Sequence, residues 1–519
     1  MEIKTSVSYL KNEKCADVYT ESQTDYVLPD YLGDVRKILF TEAVLRPSGR
    51  FAGGDEVEFS GIVVYNLIYL DSEGELSSVE FTSDYDYSVK CSGEKYSDSV
   101  ADTRVSNYSV RLVGPRKINA KASLAGTVHL SESESVNVSG DAFGGEHSPE
   151  INMGSVEVRS SKASSVSERE YAEAVEKLEG AIADEVNVIY SHAEATVDEV
   201  QAADDSVSVK GKLRMCAVIK NGEEPAYTAE KVVSFEESVE FDGVKPTMIL
   251  SPEITVSSLH STVNADETGC EVVLSGLCEM CIVGEENQRV DLILDAYLKD
   301  APTDNSYADF NYTRIIDSAT VKASHNAEIS RSEVESEGLR EIVFLSSTPK
   351  IEQVELCEGC VNILGEIRYS GISSEMIGEK ISYVGIKFSS PFVANVNLDC
   401  QNNDKTQVEV SIHTKNTTAT LDSEKVYASC TLECSAMALE EKNVSILSAM
   451  SVSDTESYES DGAKITVYYP TSDDTLFSVA KRFHTSSVKI AKDNDITETV
   501  FSSDNPRGSL SGVKKVIIY

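Results

Sequence analysis

Alternation of apolar and polar residues is the strongest signal along this chain. From Val57 to Tyr65, one set of alternate positions holds Val57, Phe59, Gly61, Val63 and Tyr65, which predicts a half-buried strand with a glycine at its centre. The register returns at Val207, Val209, Gly211, Leu213 and Met215, and again at Val361, Ile363, Gly365, Ile367 and Tyr369. The central glycines stand 150 and then 154 residues apart. Gly126 and Gly276 keep the first interval; Gly276 and Cys430, and Asp141-Ala142-Phe143 and Asp295-Ala296-Tyr297, keep the second. Repeats of this length are whole domains, each able to close its own core. A glycine on the inward face of all three strands predicts a bulge or a close backbone crossing.

Inside the first repeat, residues 1–27 read as a lead-in strand and Leu28 opens the segment LPDYLGDVRKILFTEAVL. A turn at Gly53-Gly54 leads to the organising strand, which runs on to Leu70 and the turn Asp71-Ser72-Glu73-Gly74. Further strands are expected at Val79–Phe81, Tyr85–Cys91, Arg104–Val113 and Lys117–Leu130.

The connectors read differently. Ser167–Ala183 carries Tyr171, Ala174, Val175, Leu178 and Ile182 at helical spacing, with Ser167 and Glu170 as a capping box, and predicts a helix. Ser330–Leu339 is a second, weaker helical candidate, and Ser453–Gly462 reads as an acidic linker.

After the linker the period changes. Asp474 is the expected N-cap of a helix with Leu476, Val479, Ala480 and Phe483 on one face. Thr485 or Ser486 starts a second helix through Ala491, and Asn494 suits a left-handed C-cap. Strands at Lys464–Tyr469 and Val513–Ile518 flank the pair, giving the order βααβ. The expected fold is mainly β: three tandem, sandwich-like modules with helical connectors, plus a small α+β unit. The boundaries are 1–150, 151–304, 305–452, a linker at 453–462, and 463–519.

Composition sharpens this picture. The chain has 519 residues, 41% hydrophobic content and a net charge of −41. Such acidity argues against nucleic acid and anionic membranes as partners, since both require basic surface. Residues 463–519 hold eight Lys/Arg against six Asp/Glu, so the acidity resides in the repeats. No run reaches the roughly 18 apolar residues of a membrane span, and the N-terminal residues lack the apolar core of a signal peptide. A cytoplasmic location is expected. Eleven cysteines, an odd and uneven set, read as reduced thiols.

The tail resembles a LysM domain through Tyr468, Asp474, Thr475, Leu476, Val479, Ala480, Phe483, Thr485, Asn494, Leu510, Gly512 and Val516. It departs from that pattern at Asp473, where the family has a loop glycine, and at Ser511, where it has proline. The resemblance implies a ligand groove between 471–475 and 493–496, with Asp473, Asp474, Thr475, Asn494 and Ile496 as binding residues for an N-acetylglucosamine polymer or a protein. The repeats resemble the SPOCS domain of spore-forming Firmicutes through Leu28-Pro29-Asp30, the strand at 57–70 and Gly114-Pro115-Arg116-Lys117-Ile118 through Ala122. Repeats two and three keep the strand but lack the Arg-Lys segment. This combination resembles spore-coat and cortex morphogenetic proteins of clostridia, which work at the forespore surface in the mother cell. There the LysM domain is implicated in binding the basement-layer ATPase of the coat.

Candidate chemistry is sparse. Cys278-Glu-Met-Cys281 and Cys357-Glu-Gly-Cys360 have the spacing of half a zinc knuckle, the first within a strand and the second at a turn. Both are read as structural thiols. The histidines do not cluster, and no nucleophile elbow or phosphate loop is present. Asp493-Asn494-Asp495 lacks the loop glycine and terminal glutamate of a calcium loop. No catalytic, metal or cofactor residues are therefore assigned. The expected function is a non-enzymatic scaffold of spore-envelope assembly whose tail docks a coat protein or cortex glycan. The alternatives are a peptidoglycan-binding protein unrelated to sporulation and a LysM-targeted wall hydrolase.

Overall fold

The structure, a computed structural model, describes residues 6–53, 56–90, 96–143, 148–265, 267–334, 338–378, 380–453, 458, 465–496 and 508–519. Gly54, Cys91, Lys464 and most of the linker 453–462 lie outside these residues. The described chain is mainly β.

The first repeat holds six strands: β1 (Ser6–Val27), β2 (Val35–Gly53), β3 (Glu56–Asp71), β4 (Leu76–Lys90), β5 (Tyr96–Gly114) and β6 (Lys117–Asn137). Two antiparallel sheets form, in the orders β1-β6-β5 and β2-β3-β4. Their facing sides enclose one core, with Val57, Phe59, Val63 and Tyr65 from one sheet and Ile118, Ala120, Ala122 and Leu124 from the other. The second repeat adds β7 (Glu150–Ala163), β8 (Ser167–Glu179), β9 (Val186–Ala203), β10 (Ser206–Asn221), β11 (Tyr227–Glu240), β12 (Ile249–Ala265) and β13 (Gly269–Tyr297). The third holds β14 (Thr303–Ser330), β15 (Leu339–Cys357), β16 (Cys360–Ile377), β17 (Lys380–Asn397), β18 (Thr406–Leu421) and β19 (Lys425–Val452). Sheets β9-β10-β11 and β15-β16-β17 reproduce β2-β3-β4, and β13 and β19 occupy the central place of β6.

The organising strands β3, β10 and β16 are therefore the central strands of equivalent sheets. Their glycines face inward, each opposite an aromatic residue of the next strand: Gly61 with Tyr85, Gly211 with Phe235, Gly365 with Phe392. A Cβ on Gly61 would stand 2.6 Å from the Tyr85 hydroxyl and 2.7 Å from the Arg46 carbonyl oxygen. On the other flank each glycine adjoins a bulge whose extra residue, Ser48, Asp198 or Glu352, keeps the 150 and 154 spacing. The aromatic ring fills the space a side chain would occupy, and the bulge bends the strand over it.

The expected helix at Ser167–Ala183 is a correction. Ser167–Glu179 is strand β8, paired with β13, and Ala183–Glu185 is one 3-10 turn. Tyr171 and Val175 are four apart, which suits two strand repeats as well as one helical turn. An extra residue at Val175 then shifts the strand by one position, so Leu178 also packs against the core. The 0, 4, 7 spacing that imitates a helix is a bulged strand. The second helical candidate is likewise only the 3-10 turn Arg331–Glu333, started by Ser330, with 335–337 outside the described residues.

The three repeats close on one another cyclically. Strand β4 packs against β9, β11 against β15, and β17 against β2. At the junction Phe40, Tyr190 and Phe344, again 150 and 154 apart, meet ring to ring at 5.7, 4.9 and 5.3 Å. Leu39, Ile189 and Val343 surround them, as do Ile68, Val218 and Ile372. A second junction gathers Ala142, Ala296 and Met450. The two halves of each organising strand thus differ: between Val63 and Leu70, β3 is apolar on both faces except at Asn66, because it serves its own core and the shared one.

The first junction holds polar groups. Tyr190 donates to the Glu42 carboxylate at 2.7 Å and Asn66 donates to it at 3.2 Å. Burial raises the Glu42 pKa despite these bonds. His192 stacks beside Tyr190, and its Nδ1 has no partner among the described residues. Burial, and then the Arg214 guanidinium, push its pKa down to about 4. An unfolded imidazole titrates near 6.5, so the stability tied to neutral His192 is complete above that pH and lost as pH falls toward 4. The raised Glu42 carboxyl acts in the opposite sense, which makes a variant the clean comparison. His192→Gln is expected to flatten the fall in urea midpoint between about pH 6.5 and 4; a slope equal to the parent's would refute this.

Candidate binding site in the C-terminal tail

Residues 465–519 contain β20 (Thr466–Tyr468), α1 (Leu476–Arg482), α2 (Ser487–Asp493) and β21 (Val516–Ile518), with 497–507 outside the described residues. Leu476, Val479, Ala480 and Ile490 of the helices pack on Leu510, Val516 and Ile518.

The cap of α1 is Thr475 and not Asp474. Ser478 N–H donates to Thr475 Oγ1 at 3.1 Å, and Thr475 N–H donates to Ser478 Oγ at 2.9 Å, closing a reciprocal box. Asp474 instead ties the preceding loop: its Oδ2 accepts from Thr471 N–H and the Tyr468 hydroxyl, both at 2.8 Å, and from Thr471 Oγ1 at 3.0 Å. These bonds, the Thr471 N–H foremost, hold its carboxyl below the usual range.

Asn494 ends α2, but with φ −115°, and the left-handed residue is Asp495 at φ 49°. The Asn494 amide stitches helix to strand, donating to the Ile490 and Ile517 carbonyls at 2.9 and 2.7 Å and accepting from Ile517 N–H at 2.6 Å. Ile496 packs into the tail's own core. Asp473 alone of the five is exposed without a backbone bond, accepting only from Ser472 Oγ at 3.1 Å. Among the described residues no hydrogen bond joins 471–475 to 493–496. Four of the five sequence-derived binding residues are occupied in holding the tail together.

The structure reveals a different surface in use, the packing contact between the tail and the second repeat. Tyr297, 2% exposed, enters the tail's core edge-on to Phe477 at 5.2 Å, and its hydroxyl donates to the Thr485 carbonyl at 2.6 Å. Beside it Lys481 Nζ reaches both Asp295 oxygens at 2.8 and 2.6 Å. Tyr458 stacks on His484 at 3.3 Å and donates to the Leu298 carbonyl. In the sequence, Asp295-Ala296-Tyr297 stands out only through the period it shares with Asp141-Ala142-Phe143, which was the available signal.

Docking leaves the other side of the tail uncovered. Ile465, Val467 and Tyr469 alternate through β20 and the residues flanking it at 58%, 49% and 70% exposure, with Tyr519 just past the neighbouring strand β21 and exposed Lys514 and Lys515 just before it. This is an apolar face with a basic margin on an otherwise acidic chain.

Among the described residues, no helix is long and apolar enough to cross a membrane, and no group of three or more His, Cys, Asp or Glu is placed to hold a metal ion. No family model matches the sequence, and neither a curated protein nor a solved structure matches it at a significant level.

Proposed function

We propose that the chain is a non-enzymatic scaffold of spore-envelope assembly, three SPOCS-like modules joined into one body with a LysM-like tail that docks a coat protein. The observation that carries this reading is the division of the tail into two faces. One is bonded to the second repeat through Tyr297 and Lys481. The other presents Ile465, Val467, Tyr469 and Tyr519 to solvent. A fixed body with one displayed apolar face suits a docking platform. Protein is favoured over cortex glycan because Asp474, Thr475 and Asn494, which a glycan groove would use, are engaged internally.

The test is crosslinking-mass spectrometry of the tagged full-length protein in sporulating cells of its source, beside a Val467→Glu, Tyr469→Glu variant. Crosslinks from Lys514 and Lys515 to a coat protein, reduced at least tenfold in the variant, are expected. Diffuse protein without such crosslinks, or retention on peptidoglycan that the variant leaves unchanged, would overturn the reading.

A further inference from the structure

The hairpin joining β15 to β16 turns on Glu358 and Gly359, with Gly359 in the left-handed region at φ 78°. The residues on either side of the turn, Cys357 and Cys360, are direct cross-strand partners. Residues so paired project from the same face, with Cα atoms about 5.5 Å apart where they exchange hydrogen bonds and about 4.5 Å where they do not. Both values lie within the span a disulfide bridges. Cys357 Sγ donates to the Glu355 carbonyl at 3.9 Å, and the Asn362 side-chain amide donates to Cys357 Sγ at 3.1 Å. Both cysteines are partly exposed.

The hairpin does not need sulfur. The equivalent pairs are Gly53 with Glu56 in the first repeat and Ala203 with Ser206 in the second, at the same 150 and 154 spacing and in the same register. Of the other described cysteines, buried Cys400 adjoins the turn, its carbonyl accepting from Gly359 N–H at 3.0 Å, and two further pairs are placed differently. Cys278 and Cys281 sit three residues apart in one strand, on opposite faces and about 10 Å apart at the strand rise, beyond disulfide reach. Cys430 and Cys434 are buried, four apart in one strand.

We infer that Cys357 and Cys360 form a reversible dithiol–disulfide site at the tip of the third repeat, oxidised by a small-molecule or protein disulfide. The Cys360 thiolate attacks one sulfur of the oxidant, forming a mixed disulfide and expelling one thiolate. Cys357, deprotonated to solvent, then attacks Cys360 Sγ and expels the second half of the oxidant. The protein loses two protons and two electrons, and the oxidant disulfide becomes two thiols. The neighbouring Cys360 side chain holds the Cys357 pKa above that of a free thiol. The ring closed is only four residues long, so its contribution to folding stability is small and the bond is suited to exchange.

The experiment treats reduced full-length protein with oxidised glutathione and measures intact mass and the bridged peptide. Loss of two hydrogens, mapping to Cys357–Cys360 without a retained glutathione adduct, is expected. Cys357→Ser is expected to stop at a stable glutathione adduct on Cys360. A lasting adduct on the parent protein, an intermolecular disulfide, first oxidation at another cysteine, or a Cys357→Ser variant that still loses two hydrogens would each overturn the inference.

Discussion

Gly365→Val is expected to lower the unfolding free energy by about 3–5 kcal/mol, at the extreme end for one substitution. The new Cβ would meet the Lys350 carbonyl oxygen on one side and Phe392 Cε1 at 2.8 Å on the other. Neither can retreat. The carbonyl belongs to a strand already bent by the extra residue Glu352, and Phe392 is buried in the core of the repeat. Valine favours strands over glycine by at most about 1 kcal/mol, so the clash decides the sign. Because Phe344 of the same repeat packs on Phe40 and Tyr190, the loss is expected to move the whole unfolding transition and not to release one repeat alone. Gly338→Ala is the control: its Cβ meets nothing nearer than 3.6 Å, and no loss is expected. Urea unfolding of the full-length variants reads the difference. A Gly365→Val midpoint matching the control would show that the glycine is not structurally required.

The same period that organised the sequence explains what it revealed and what it concealed. Alternation marks one buried face, so the first half of each organising strand was legible. The second half was partly legible in Val63–Leu70, where an apolar run broken only by Asn66 signals burial on both sides. In the third repeat that signal fails, because Ser373 and Ser374 occupy buried positions; both hydroxyls bond the Glu341 carbonyl. The shared junction was present in the sequence as aromatic residues at 40, 190 and 344, yet nothing local distinguishes a ring facing a neighbouring repeat from one facing its own core. The bulge at Val175 is the opposite case: a strand irregularity imitated helical spacing, and only the pairing with β13 resolves it. In the tail, Asp474, Thr475 and Asn494 have structural roles, closing a loop, capping a helix and joining α2 to β21. A motif residue with a complete set of internal bonds has little left to offer a ligand. Lys481 and Thr485 became recognisable as docking residues only once Asp295 and Tyr297 were placed beside them.

Tyr297→Ala is expected to weaken the tail's attachment by about 3–5 kcal/mol, the range for emptying a buried aromatic site. The ring is a member of the tail's core although it belongs to the second repeat, so its loss leaves a cavity against Phe477 and deprives the Thr485 carbonyl of its donor. Tyr297→Phe keeps the ring and removes only the hydrogen bond, at about 1 kcal/mol. Lys481→Ala breaks a pair that is 36% and 22% exposed at its two side chains, and solvent screening limits that loss to about 1 kcal/mol. Each 1.4 kcal/mol is tenfold in an equilibrium. Limited proteolysis between residues 453 and 465 should therefore accelerate roughly a hundredfold or more for Tyr297→Ala and only severalfold for the other two. This ordering separates an apolar anchor from an electrostatic one. Equal rates for Tyr297→Ala and Lys481→Ala would place the attachment in the ion pair, and a Tyr297→Ala rate equal to the parent's would mean the tail is held elsewhere. Because the tail's core is completed by a residue outside it, residues 465–519 alone are expected to be less stable than in the full chain, and the intact protein is the proper subject for measuring what the exposed face binds.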